Sequence, residues 1–510
     1  MIHRFNGMSR LTRNIAYNLL GQAALLLLGL IAVRLIFRRL GPEVFALILF
    51  AQTVGIVLTA VLDLGISSIT VREVAAHAED DPAYVRDLLR TAASLYWGAY
   101  VVLLLAVVVG APLLVTKWLN PGSMSPESAS RLIQMLCAGS LLVLPRVLYG
   151  SLCRGLQRMV FNNVVEVGGI AIQQLGIVAI LAAGGDVMAV AAWFSASYAL
   201  TVIAYLLIGS RLTSWRSMMP GFKTAVIARN WRFAMHMASV GFFGIAVMQV
   251  DKLTVSKLLP LATLGPYSFA STVVSGGSRV TYAIAQAAFP AFAEMHSGRR
   301  TGDLSAQARK VHDLVTFVTA PLFALVTFAS LPLFTYVFSG DVAHGLVAPV
   351  ALLCVGSYLN ATLSVPYFVS IAVGRPAIAA RQNILGLAIV APIAFLATAR
   401  FGLTGAAMGW VVYHLVAYVY GLPRMCREGM GVSTRSWLSR QAGPMALLAG
   451  CYGLAFLLGF GIGGGSTGAL LASYLLATIV YVVAGFRLLG SEIKDALWAR
   501  LRAPILAEAA

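Results

Sequence analysis

Read by hydropathy, the chain alternates long apolar stretches with short polar ones on the scale of a bilayer. A hydrocarbon core about 30 Å thick takes about 20 residues of apolar helix. Stretches of that kind run over 14–36, 43–65, 91–116, 130–150, 161–184, 187–209, 233–258, 263–290, 311–339, 342–371, 377–399, 402–424, 441–463 and 466–487. The pattern predicts an all-α integral membrane protein of about 14 transmembrane helices. Some connections are very short, such as Gly184-Gly185-Asp186 and Arg400-Phe401-Gly402. No loop is long enough for a folded extramembrane domain. Two polar stretches carry helical amphipathic spacing, 70–90 and 210–232, and both suit interfacial helices beside anionic lipid.

Composition agrees with the pattern. The 510 residues are 59% hydrophobic and only 11% charged, against about 25% charged in soluble domains. The five cysteines, Cys137, Cys153, Cys354, Cys426 and Cys451, are scattered. They predict neither a disulfide framework nor a metal site. The first apolar run is too long for a signal-peptide core and reads as a retained span.

The net charge of +18 would suggest nucleic acid in a soluble protein. In a membrane protein lysine and arginine pool on the cytoplasmic side. With the N-terminus inside, 28 of the 37 lysines and arginines fall on inner segments. Both termini are therefore expected in the cytoplasm, with no nucleic-acid partner.

An internal repeat then emerges. Leu40-Gly41-Pro42 recurs as Leu264-Gly265-Pro266, and Arg13-Asn14 as Arg229-Asn230. Pro145 matches Pro366, Asn163 matches Asn383, and Trp193 matches Trp410. The unit is six spans, an even number, so both copies enter the membrane from the same side. A parallel repeat of this kind predicts two six-helix lobes around a central cavity, plus two C-terminal helices. The boundaries expected are 1–210 for the first lobe, 211–232 for a cytoplasmic linker helix and 233–424 for the second lobe. Residues 441–487 would hold the last two spans, and 488–510 a cytoplasmic tail.

Several of these residues carry a resemblance. Asn18-x-x-Gly21, Arg34, Leu40-Gly41-Pro42, Leu62-Asp63-Leu64-Gly65 and Val71-Arg72-Glu73 lie in the first two spans and their flanks. Asp251-Lys252 precedes Leu264-Gly265-x-Tyr267-x-x-Ala270. With these the chain resembles the polysaccharide flippases of the multidrug/oligosaccharidyl-lipid/polysaccharide superfamily, the Wzx-like O-antigen and exopolysaccharide translocases of polysaccharide biosynthesis. The resemblance implies alternating access by two lobes in the bacterial inner membrane. The cargo implied is a polyprenyl-diphosphate-linked oligosaccharide for cell-surface polysaccharide such as lipopolysaccharide, moved from inner to outer leaflet. Membrane lipids, and the polysaccharide polymerase and glycosyltransferases of the same pathway, are the partners expected. With no HExxH, P-loop or GxSxG motif, no cofactor and no enzyme activity are expected.

Charges inside spans are costly and need a reason. Arg279 sits mid-span beside Ser275, Gly276, Gly277 and Ser278. It reads either as a phosphate-binding cation, matched by the guanidinium fork, or as the partner of a carboxylate such as Asp251. Arg34, Arg146 and Lys252 are the other candidate cavity cations, with snorkelling the alternative for Lys252. Asp63, Asp251 and Glu166 are candidates for gating or ion coupling; Asp251 reads as a partner for Arg279 or Arg34, and Glu166 for an arginine such as Arg146. His414, beside Trp410 and Tyr413, reads as packing. No catalytic or metal motif stands out. A cation-coupled multidrug exporter of the same superfamily is the alternative, and it would want more acid than base in the lumen. A membrane glycosyltransferase or polymerase would want a long outer loop, which the sequence lacks.

Overall fold

The computed structural model describes residues 10–62, 65–119, 122, 124–298 and 300–488. All regular elements among them are helices, and helices occupy all fourteen predicted stretches. Ten helical segments among the described residues are long and apolar enough to cross a membrane. By packing, the chain forms two compact units. One is Met1–Ile245 with Leu259–Gly265; the other is Ala246–Leu258 with Pro266–Ala510.

The first unit begins with α1 (Arg10–Leu40) and α2 (Pro42–Leu62), parted by Gly41 at φ +88°. A short α3 (Ile66–His77) follows, then the long α4 (Pro82–Lys117). The predicted amphipathic stretch 70–90 is thus broken in two. Asp81 caps α4 by accepting from the Tyr84 N–H at 2.9 Å, and Pro82 opens it, a position where proline's missing N–H costs nothing. The fourth predicted span is likewise split, into α5 (Pro126–Ser140) and α6 (Val143–Gly155). Pro145 cannot donate to the preceding turn, and tight bonds such as Leu144 N–H to Leu141 O, 3.0 Å, close the gap. α7 (Met159–Ala182) and α8 (Val187–Leu212) complete the bundle, and α9 (Trp215–Met218) is a single turn. Tyr96, Tyr149 and Tyr205 are fully buried in its core.

The expected separate linker helix does not form. Its end is absorbed into α10 (Thr224–Leu258), which runs on through the seventh predicted span. The second unit contains the last part of α10, most of α11 (Leu261–Ser297), α12 (Thr301–Val337), α13 (Gly340–Ala372) and α14 (Ala377–Val416). α14 is two predicted spans joined at Gly402, whose backbone (φ +57°, ψ −136°) turns the chain. Wide five-residue-type turns at Ala417–Gly421 and Met425–Met430 flank one ordinary turn, α15 (Leu422–Arg424). α16 (Thr434–Leu448), α17 (Leu454–Gly461) and α18 (Thr467–Leu488) form the C-terminal hairpin.

The hairpin is tied to a defect in α12. Pro321 leaves the Phe317 carbonyl without its helical donor. The Tyr481 hydroxyl of α18 donates to that carbonyl at 3.5 Å, and Tyr474 donates to the Pro321 carbonyl at 3.3 Å. Deeper, the buried His312 lies 3.1 Å from the Gln441 amide nitrogen, and Gln441 accepts from Tyr418 at 3.2 Å.

Candidate functional site

Exposure on a membrane helix has two meanings, and residue type separates them. The exposed face of α4 is Val101, Val102, Leu105, Val108 and Val109, which suits acyl chains. In the middle of α11, Thr272, Ser275, Gly276, Arg279, Ala283 and Gln286 are exposed, and so are Val280, Tyr282 and Ala287. Thr272, Ser275 or Gly276, Arg279, Ala283 and Gln286 follow at steps of three to four residues and so share one side of the helix. Small and polar residues with an arginine at mid-helix suit water or a polar ligand better than acyl chains.

Arg279 is exposed and has no ion pair or hydrogen bond among the described residues. The alternative of a structural pair with Asp251 is overturned. Asp251 is mostly buried and accepts from the Tyr267 hydroxyl at 2.9 Å. Its other partner is its own neighbour, with Lys252 Nζ at 3.4 Å. Adjacent helical residues point about 100° apart, but the four-carbon lysine stem folds back along the helix. Its ammonium also donates to the Met248 carbonyl at 3.4 Å. Lys252 therefore does not snorkel, and its charge is largely spent on Asp251.

The first unit holds a second polar cluster. Arg146 on α6 forms a forked pair with Glu166 on α7, Nε to Oε1 being 3.1 Å. The Tyr205 hydroxyl of α8 sits 2.8 Å from Glu166 Oε1 and 3.1 Å from Asn162 Oδ1. Tyr198 lies under the guanidinium, 5.8 Å from it. The asparagine used is Asn162; Asn163, the one expected from the repeat, is exposed.

At the N-terminal side of α4, Glu73 gathers another network. Tyr84 donates to it at 2.8 Å and Arg72 Nε at 2.9 Å, while Arg229 Nη2 approaches to 3.7 Å. Asn230 of α10 accepts from Arg72 at 3.0 Å and donates to the Tyr84 hydroxyl at 3.0 Å. Burial alone would raise the Glu73 carboxyl. The hydrogen bonds from Tyr84 and Arg72 and the charges of Arg72 and Arg229 outweigh it and hold the group below its usual range.

The remaining expected residues are dispersed. Arg34 is half-buried near the end of α1 and is partnered. Asp63 lies outside the described residues. His414 is buried, Nδ1 2.8 Å from the Trp410 carbonyl. The repeat-matched tryptophans differ: Trp193 donates to the Gln173 carbonyl of α7 at 3.1 Å, whereas Trp410 donates to the Ser357 hydroxyl of α13 at 3.1 Å.

Comparison with known proteins gives this arrangement a family. A family description, polysaccharide biosynthesis protein, matches residues 11–296. The chain belongs to the polysaccharide biosynthesis protein family. Solved structures show the same fold at low identity. An inward-facing multidrug resistance MATE transporter of the MOP superfamily superposes at TM-score 0.66 with 14% identity, covering 79% of this chain and 94% of its own. The lipid II flippase MurJ, inward closed, gives 0.56 and 13%, covering 89% and 97%. A MOP superfamily transporter from Pyrococcus furiosus gives 0.54 and 17%, covering 80% and 93%. No curated protein matches by sequence.

Within this polysaccharide biosynthesis family member, sequence reasoning missed the groups around Arg279. Tyr282, one turn along α11, is 41% exposed. It meets Phe368 of α13 edge to face, centroids 6.0 Å apart. Phe289 and Tyr367 also contact Phe368. The three-residue step from Arg279 to Tyr282 was the available signal; the α13 side of the cluster had none in the sequence.

Proposed function

We propose that this protein is a flippase that moves a polyprenyl-diphosphate-linked oligosaccharide from the inner to the outer leaflet of the bacterial inner membrane. In this reading two six-span lobes alternate access, and the glycan supplies cell-surface polysaccharide synthesis. The observation that carries it is Arg279: a guanidinium halfway along α11, exposed among small and polar residues and unpaired among the described residues. An exposed guanidinium with no carboxylate beside it among the described residues is open to an anionic cargo. A diphosphate fits the guanidinium fork. The family supports a role in polysaccharide synthesis, and the fold shared with a lipid II flippase supports a lipid-linked cargo. A carrier of cationic drugs gains nothing from a free arginine at this place.

The test uses a strain lacking the gene, complemented with wild-type or Arg279→Ala. Lipid-linked oligosaccharides are extracted after spheroplasts meet an impermeant glycan-modifying reagent. Expected is inner-leaflet accumulation in the deletion, reversed by wild type but not by an inserted, stable Arg279→Ala. Undisturbed leaflet distribution in the deletion, with new sensitivity to cationic drugs, would sink the flippase reading.

A further inference from the structure

We propose that the aromatic cluster beside Arg279 is a platform for the sugar ring joined to the carrier diphosphate, so that the second unit binds phosphate and first sugar together. This rests on the flippase reading and names which part of the cargo the site recognises.

Phe368 is the hub of the cluster. Tyr282, Phe289 and Tyr367 meet it at interplanar angles of 75°, 72° and 84°, with centroids 6.0, 6.3 and 5.5 Å away. Edge-to-face packing fixes the rings without stacking their faces on one another. The Tyr282 and Tyr367 hydroxyls have no hydrogen-bond partner among the described residues. Nearby Tyr413 shows the opposite condition. Its hydroxyl donates to Asn383 Oδ1 at 2.6 Å and accepts from Gln382 at 3.3 Å, and its ring stacks on Trp410 at 14°. Tyr413 is consumed by structure; Tyr282 and Tyr367 keep both a ring and a hydroxyl to offer.

Tyrosines in membrane proteins usually sit at the interfaces, where the hydroxyl reaches water. Tyr282 lies three residues from the midpoint of a 37-residue helix, far from either end. A lipid tail would need no hydroxyls there, and a bare phosphate would need no rings. A pyranose has an apolar C–H face and a rim of hydroxyls, and it answers both. The register fits as well. Three residues of helix advance about 4.5 Å and stay on one face. A sugar joined to its phosphate through one bridging oxygen spans a comparable distance.

The test is binding of two probes to the full-length purified protein: a short-chain polyprenyl diphosphate, and the same carrier bearing one N-acetylhexosamine. Wild type is expected to favour the glycosylated probe about tenfold. Tyr282→Leu and Phe368→Ala should erase that preference while leaving the bare probe unchanged. Tyr282→Phe and Tyr367→Phe should each lose part of it. Arg279→Ala should weaken both probes by one factor. Because Phe368 is a packing hub, the exposed Tyr282→Leu decides should Phe368→Ala fail to fold. No wild-type preference, or Tyr282→Leu weakening both probes equally, overturns the platform. Unchanged binding of both probes to Arg279→Ala overturns the phosphate site instead, so the two failures are distinguishable.

Discussion

A charge inside an apolar run is visible in a sequence, but what it touches is not. Arg279 stood out because an arginine between glycines and serines interrupts an apolar run. Its lack of a partner among the described residues could be known only from the positions of the carboxylates. Asp251 went to its own neighbour Lys252 and to Tyr267, a choice of side-chain rotamers that spacing cannot encode. Arg146 and Glu166 are the converse case, two candidate residues that satisfy each other. Their side chains are 23% and 33% exposed, so the pair is neither fully buried nor free. Removing one member should cost about 1–3 kcal/mol, less than the ~3–5 kcal/mol of a fully buried pair. Arg146→Met and Glu166→Gln should each lower the thermal midpoint in detergent, and the double variant should recover much of the loss. Additive losses would show that the two do not act as a pair. Loss of transport in the stable double variant would return Arg146 to the list of cargo-binding cations.

Element lengths were legible because the bilayer sets them, and helices occupy each stretch that the apolar count predicted, the fourth in two pieces. Element breaks were less so. Asp81-Pro82 and Pro145 split predicted elements through local chemistry that hydropathy averages away. The linker helix vanished because nothing between Thr224 and the seventh span stops a helix. The turn at Arg400-Phe401-Gly402 was read as a connection from its length, and the structure supplies its cause. Gly402 occupies backbone angles that a Cβ makes costly, by about 1–3 kcal/mol. Three residues on, a Cβ at Gly405 would lie 2.0 Å from the Ala397 carbonyl oxygen, so the two arms of α14 need glycine to approach. Gly402→Ala and Gly405→Ala should therefore both lower the thermal midpoint by several degrees. Gly98→Ala, where a Cβ meets open space inside α4, should be neutral or slightly stabilising. Equal midpoints for all three would show that the turn does not depend on these glycines.

At the scale of the whole chain, the repeat and the charge bias make one joint claim. Six spans per copy return the chain to the side it left, so the segments after the sixth and twelfth spans must share a compartment. An inverted repeat, with an odd number of spans, would put them on opposite sides. Thr213 follows the sixth predicted span and Ser436 the twelfth; both are exposed. Arg211 and Arg216 flank the first, and Arg435 and Arg440 the second, as the positive-inside bias requires of cytoplasmic segments. Ala183 and Ser339, exposed after the fifth and ninth spans, should face the other way. The native thiols interfere little, since Cys137, Cys153, Cys354 and Cys426 are buried and Cys451 is half-buried. An impermeant maleimide on intact spheroplasts should label Ala183→Cys and Ser339→Cys. It should reach Thr213→Cys and Ser436→Cys only after permeabilisation. Labelling of Thr213→Cys and Ser436→Cys from opposite sides would remove the parallel repeat and, with it, the two-lobe basis of the transport reading. Labelling of both from outside would keep the repeat and invert the orientation, leaving the cargo's direction of entry to be drawn from the opposite leaflet.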